Sequence, residues 1–242
     1  MYSVRGKVFI VSGSSRGIGR SIAVEAARRG ALGVVVNYVR GEGEALETAR
    51  MVEEAGARAL VVRADVGVWE EARRLVKEAH RGFGRVDVVV NNAGILAPKR
   101  FDEMEPRDWE ETFRVHVFGS LNLARAALDY MRDGGVIVNI SSVLGLRPEE
   151  EASHYSAAKA ALIAWTIAAA KELASRGVRV FAVAPGGVDT RMARAWGSLD
   201  WVEEQVPLAR LARPEEVAKL VLDAIENPYI TGDVLTISGG LL

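Results

Sequence analysis

The sequence predicts an α/β fold, a doubly wound parallel sheet of seven strands with helices on both faces. Two observations carry this. Short Val/Ile-rich runs alternate with helical patterns from end to end, and the runs are continuously apolar, as strands buried on both faces require. The runs are Lys7–Ser12, Gly33–Tyr38, Arg58–Ala64, Val86–Val90, Gly135–Ser141, Val178–Ala184 and Val234–Ile237. Between them lie helical patterns at Gly17–Gly30, Gly43–Gly56, Trp69–Gly82, Trp109–Arg132, Ser153–Gly177 and Pro214–Glu226. Gly30, Gly56 and Gly177 stand where helix C-caps are expected, and Pro214 followed by two Glu opens the last helix. Strand–helix–strand alternation implies crossover connections and parallel strands. No linker or repeat interrupts residues 1–242, so a single domain is expected. The irregular stretch at about 190–213 is long for a plain connection and is a candidate lid over a site.

Composition narrows the function. Of 242 residues, 49% are hydrophobic and 26% charged, a balance that supports a sizeable core. Lys and Arg (31) nearly cancel Asp and Glu (32), without the basic excess of a nucleic-acid or anionic-membrane binder. The longest apolar runs, such as Ala160–Ala170, are too short to span a bilayer, and no signal peptide is evident. A cytoplasmic location is the default expectation. Absence of Cys excludes disulfides and thiolate metal sites, and the three scattered His give no metal-binding spacing.

The first strand runs into Ser12-Gly13-Ser14-Ser15-Arg16-Gly17-Ile18-Gly19. Gly13 permits a sharp exit from the strand, and Gly17 lets backbone N–H groups approach a pyrophosphate. Gly19 lets the next helix pack closely, its N-terminus aimed at the phosphates. A glycine turn alone also ends strands for structural reasons; its place between first strand and first helix points to a dinucleotide. Further strings fall in order: Asn91-Asn92-Ala93-Gly94, Tyr155-Ser156-Ala157-Ala158-Lys159, Pro185-Gly186, Thr231-Gly232 and Gly239-Gly240. With these in register, the chain resembles the short-chain dehydrogenase/reductase family, in the single-domain branch that includes 3-oxoacyl-carrier-protein reductases. The resemblance covers the whole chain and implies a Rossmann-type fold. It also implies hydride transfer between a nicotinamide cofactor and a carbonyl or secondary alcohol, with a 3-oxoacyl compound, a sugar or another ketone as substrate.

Tyr155 and Lys159 are four apart, hence one turn apart on one helix face. By spacing alone they are either a surface pair or an acid–base couple in which the ammonium lowers the phenol pKa. The resemblance implies the second: Tyr155 exchanges the proton, and Lys159 tunes it and holds the nicotinamide ribose. Ser142 ends the fifth strand, where a hydroxyl can donate to a developing alkoxide. Family register selects it over Ser141. At His116 the family carries an Asn whose backbone carbonyl holds a relay water. A backbone role or an active imidazole are both open for His116, the fourth candidate catalytic residue. His80 reads as a solvated helix residue, His154 as a neighbour of Tyr155, and Glu149-Glu150-Glu151 as a charged loop, with a place on the substrate rim as the lesser alternative.

Cofactor choice is read at the end of the second strand. An acid there would bind the ribose 2′-hydroxyl and repel a 2′-phosphate. The position holds Tyr38, no carboxylate follows until Glu42, and Arg16 and Arg40 can grip a phosphate. NADP is therefore expected, with NAD possible. The resemblance implies cofactor contacts from Gly13, Ser15, Arg16, Gly17, Ile18 and Gly19, and from Tyr38 and Arg40. It adds Asp65 and Val66 at the adenine, then Asn91, Ala93 and Gly94, then Tyr155 and Lys159. Pro185, Gly186, Val188 and Thr190 complete the set, Thr190 orienting the nicotinamide carboxamide. The lid carries Arg191, Met192, Arg194, Trp196 and Trp201, apolar bulk with basic charge. Ala- and Leu-rich helices at 109–132 and 153–177 predict a homodimer or homotetramer. An epimerase or dehydratase, or a catalytically weak NADP-binding scaffold, are the competing readings.

Overall fold

Buried valine and isoleucine build a parallel seven-stranded sheet in a computed structural model that describes residues 2–131, 134–194 and 200–242, with Asp200, Trp201 and Glu203 described as backbone. The strands are β1 (Val8–Val11), β2 (Gly33–Tyr38), β3 (Arg58–Arg63), β4 (Val88–Asn91), β5 (Gly135–Ile140), β6 (Val178–Pro185) and β7 (Val234–Ile237). Their order is β3-β2-β1-β4-β5-β6-β7, every pairing parallel. The chain winds outward from β1 to β3, then crosses back to lay β4 beside β1. That reversal leaves a crevice at the carboxyl ends of β1 and β4, where open α/β sheets take ligands.

Side-chain alternation divides the core. On β1, Phe9 and Val11 join one layer with Ile22, Leu222 and Ile225; Ile10 joins the other with Leu75, Leu123 and Val180. The first layer is covered by α1 (Gly17–Arg28), α2 (Glu42–Glu54) and α9 (Pro214–Glu226). The second is covered by α3 (Trp69–Phe83), α5 (Gly119–Ala127) and α6 (Ser153–Leu173). Among the described residues, no helix is long and apolar enough to cross a membrane.

One expected helix is broken. The run read as Trp109–Arg132 starts at Pro106 as α4 (Pro106–Phe113), passes through a π-helical turn (Arg114–Phe118), and ends with α5 at Ala127. Arg132 lies outside the described residues. Glu105 and Asp108 cap the start, the Glu105 N–H donating to Asp108 Oδ2 at 2.8 Å. The π turn inserts residues that a 3.6-residue period does not reveal, and such turns gather at functional sites. The helix read as Ser153–Gly177 ends at Leu173 in a 3-10 turn, with Gly177 left-handed at φ 68°. Within the expected lid lie two short helices, α7 (Arg191–Arg194) and α8 (Asp200–Gln205), and Val188 bridges to Ala212. Trp196 lies outside the described residues.

A buried polar line fixes α6 to the sheet. Asn91 Nδ2 donates to Asn139 Oδ1 at 2.8 Å, Asn139 Nδ2 to Thr166 Oγ1 at 2.8 Å, and Thr166 Oγ1 to the Leu162 carbonyl at 2.7 Å. Asn139 and Thr166 are wholly buried, so neither has water as a substitute partner. Thr166→Val keeps the shape and strands the Asn139 amide. It should lower stability by about 1–3 kcal/mol and Tm by roughly 3–10 °C in thermal unfolding. An unchanged Tm would show that the line carries no weight.

Candidate active site

The glycine loop joins β1 to α1. Gly13 and Gly17 adopt φ of 62° and 57°, the left-handed region that favours glycine. A Cβ on Gly19 would fall 2.7 Å from the Gly13 carbonyl and 2.5 Å from Asn92 Nδ2, so helix and loop meet at van der Waals limits. Among the described residues, the Thr190 side chain alone comes within 4 Å of a Cβ placed on Gly17. The first turn of α1 has no acidic residue to neutralise its positive end.

Residues that motif reading passed over hold this loop. Asn37 accepts from the Gly13 N–H at 3.1 Å through Oδ1, and its Nδ2 donates to the Val62 and Ala64 carbonyls at 3.2 and 2.9 Å. Ser12 Oγ accepts from the Asn92 and Ala93 N–H groups at 2.9 and 3.0 Å. The loop is thereby tied to β2, β3 and the end of β4. Ser14 Oγ donates to the Val11 carbonyl at 2.7 Å and accepts from Asn37 N–H at 3.1 Å, leaving it to the scaffold. Asn91 Oδ1 is buried and has no partner among the described residues. A left-handed glycine turn, an unopposed helix N-terminus and an unmet acceptor fit a dinucleotide.

The other expected cofactor residues sit at the carboxyl ends of the strands. They are Tyr38 and Arg40 after β2, Asp65 and Val66 after β3, Ala93 and Gly94 after β4, and Pro185, Gly186, Val188 and Thr190 at the end of β6. Ser15, Arg16 and Ile18 lie on the loop and the first turn of α1. Tyr38 is buried, and burial followed by the hydrogen-bonded Glu42 raises its phenol pKa. Arg40 is exposed. Asp65 accepts from Gly67 N–H at 2.9 Å and from Arg114 Nη1 at 2.7 Å. Arg114 gives no motif signal because it reaches Asp65 from the π turn.

The reacting groups converge from β5 and α6. Tyr155 and Lys159 are 8% and 4% exposed, and the Ser142 hydroxyl is hydrogen-bonded to the Tyr155 phenol. Ser142 Oγ also accepts from Leu144 N–H at 3.1 Å. Ser141 turns the other way and donates to the Lys159 carbonyl at 2.9 Å, so the two serines divide scaffold and site between them. Lys159 Nζ donates to the Ile140 carbonyl at 2.7 Å and lies 5.4 Å from the Tyr155 ring centroid.

Burial weighs against both charged forms here: it pushes Tyr155 up to about 12, the Ser142 hydrogen bond opposing it only in part. Burial likewise pushes Lys159 down to about 7. Desolvation disfavours the charged form of both, and Lys159 Nζ bonds a backbone carbonyl while lying near the Tyr155 ring.

His116 sits in the π turn, buried, with its ring edge-on to Tyr155 at 5.2 Å between centroids and 89°. Its Nε2 lies 2.7 Å from the Ile95 carbonyl and 3.1 Å from the Ile95 nitrogen. Burial, then the Lys159 charge, hold its pKa well below the ordinary value, so the ring is neutral, with Nε2 set against the Ile95 backbone. Its Nδ1 is buried without a partner. A Cβ on Gly94 would fall 2.5 Å from the His116 ring, so glycine there makes room for the imidazole. The His116 carbonyl accepts from Ser120 Oγ at 2.7 Å. His154 is buried beside Trp109, and its pKa is lowered first by burial. His80 is not the solvated residue expected: it is half-buried, its ring 4.7 Å from that of Tyr130. Glu149, Glu150 and Glu151 are exposed. Among the described residues, no group of three His, Asp or Glu could hold a metal.

Comparison with known proteins agrees with this geometry. Residues 13–242 match the family model described as enoyl-(acyl carrier protein) reductase, a short-chain dehydrogenase/reductase model. The chain is 37% identical over 244 residues to a 3-oxoacyl-(acyl-carrier-protein) reductase of Aquifex aeolicus, covering 98% of each. It is 36% identical over 247 residues to the 3-oxoacyl-(acyl-carrier-protein) reductase of a Synechocystis species, covering 100% of this chain and 99% of the other. A short chain dehydrogenase from Burkholderia cenocepacia, solved in complex with NADP, superposes with a TM-score of 0.95 at 34% identity, over 99% of both chains. The chain belongs to the short-chain dehydrogenase/reductase family.

Proposed function

We propose that the protein is an NADP-dependent reductase of 3-oxoacyl thioesters, and that Tyr155 is its proton donor. The observation that carries the reading is the buried Ser142–Tyr155 hydrogen bond with Lys159 one turn away, at the mouth of the glycine-lined crevice. NADP is supported by Tyr38 in place of an acid, by Arg16 on the loop, and by the NADP-bound Burkholderia relative. The thioester substrate is supported by the Aquifex and Synechocystis relatives.

The glycine loop, Asp65, Lys159 and Thr190 would hold the cofactor, which would supply a hydride to the carbonyl carbon. The protein's own residues manage the oxygen. Ser142 and Tyr155 donate hydrogen bonds to it, and Tyr155 gives up its proton as the C–O bond becomes an alkoxide. An alkoxide is far more basic than a phenolate, so the transfer runs downhill even from a phenol held at about 12. The Lys159 ammonium, one helical turn on, stabilises the tyrosinate left behind. His116 is a positioning residue: its imidazole is tied to Ile95 and packs edge-on against the Tyr155 ring. Tyr155→Phe should reduce kcat by about a hundred- to ten-thousandfold in NADPH oxidation with a short 3-oxoacyl thioester. Binding of adenosine 2′,5′-bisphosphate should be unchanged. A variant retaining wild-type turnover would remove Tyr155 from the chemistry.

The same reading assigns a homodimer or homotetramer. On α6, Ala160, Ala164, Ile167 and Ala168 fall on one exposed stripe, and Phe118 at the end of the π turn is exposed as well. Light scattering at micromolar concentration should give a multiple of the 26.1 kDa chain mass, and Ile167→Asp should lower it. A monomer mass for the wild-type protein would overturn the assignment.

A further inference from the structure

The crevice contains a pair of cations that meet on a carboxylate from the chain itself. Arg16 Nη1 lies 2.9 Å from Glu44 Oε2, and Arg191 Nη2 lies 2.6 Å from Glu44 Oε1. Each guanidinium takes its own oxygen. The three residues come from three places: the glycine loop, the first turn of α2, and α7 in the expected lid. Burial alone would raise the Glu44 pKa, but hydrogen bonds from Arg191 and Arg16 outweigh it and hold the carboxyl low.

Placement identifies the anion for which these cations are set. Arg16 precedes Gly17, and Thr190, just before Arg191, has its methyl 3.5 Å from where a Gly17 Cβ would be. The beginning of the lid therefore lies on the glycine loop. Glu44 is fixed at its backbone: Arg20 donates to the Glu44 carbonyl at 3.2 Å and to the Ser15 carbonyl at 2.7 Å. This corner, between the loop and the end of β2, is where a dinucleotide's adenosine ribose is read. Two guanidinium groups repel each other unless an anion lies between them. In this structure the anion is Glu44.

Resting on the NADP reading above, we propose that Arg191 is a second guanidinium for the cofactor's 2′-phosphate, and that Glu44 occupies the phosphate position until the cofactor arrives. A phosphate monoester brings nearly two charges and three acceptor oxygens against one charge and two oxygens for a carboxylate. Arg16 and Arg191 are 50% and 69% exposed, so an incoming phosphate reaches both, while the 31% exposed Glu44 side chain has room to swing out. Arg191 thus joins Arg16 in the role that the sequence offered to Arg40. A cofactor lacking that phosphate leaves both arginines on Glu44.

Titration calorimetry with adenosine 2′,5′-bisphosphate and with 5′-AMP isolates the 2′-phosphate without turnover. Arg191→Gln should weaken the bisphosphate by about tenfold and change 5′-AMP by less than about twofold. Glu44→Gln removes the resident charge and should tighten the bisphosphate by roughly threefold or more, with 5′-AMP unmoved. If Arg191→Gln leaves both affinities unchanged, or weakens both equally, the assignment of Arg191 to the 2′-phosphate is wrong. Wild-type protein that binds the two ligands equally would instead overturn the NADP reading on which the assignment rests.

Discussion

A lysine side chain, nearly all of it out of water and hydrogen-bonded to the Ile140 backbone carbonyl, is the constraint around which this site is built. Desolvation pushes Lys159 down to about 7, and only a well-ordered scaffold keeps such a group inside. The scaffold closes on its backbone as well as its ammonium. Ser141 donates to the Lys159 carbonyl, and Gly145 lies so close that a Cβ would sit 2.8 Å from the Lys159 carbonyl carbon. The Asn91–Asn139–Thr166 line then binds α6 to β4 and β5 two turns further on. Tyr155 and Ser142 inherit their positions from that arrangement.

Burial also explains why the site is poised for donation. In a low-dielectric pocket both partners prefer to be neutral, so Tyr155 keeps its proton and Lys159 holds its own loosely. A buried phenol hydrogen-bonded to serine is ready to protonate an alkoxide. The neutral His116 ring adds no charge against Lys159, and its tie to Ile95 fixes the wall of the pocket next to Tyr155. An asparagine at position 116 would have a shorter side chain in that wall, and the absent Cβ at Gly94 supplies the room that the imidazole takes.

Much of this was legible in the sequence because it is local or periodic. Continuous valine runs marked the buried strands, and the limits of β2, β7 and α9 coincide with those read from pattern and caps. The glycine loop and the Tyr155–Lys159 spacing are each contained within a few residues. What the sequence hid depends on approach through space. The π turn breaks helical periodicity, so the run at 109–132 was read as one regular helix. Asn37 and Arg114 act on the loop and on Asp65 from other elements, and Glu44 meets Arg191 from 147 positions away. Burial, which raises the Tyr155 phenol, is a property of the packed layers and not of the four-residue spacing.

The claim that burial sets the state of Tyr155 is open to direct measurement. The ultraviolet difference absorbance of tyrosinate, recorded against pH for the wild-type protein and for Tyr155→Phe without cofactor, isolates this phenol. The account predicts ionisation near the value of about 12 set by burial, well above an ordinary tyrosine. A Tyr155 that ionised near neutrality in the cofactor-free protein would contradict it, because Lys159 rather than desolvation would then dominate the site.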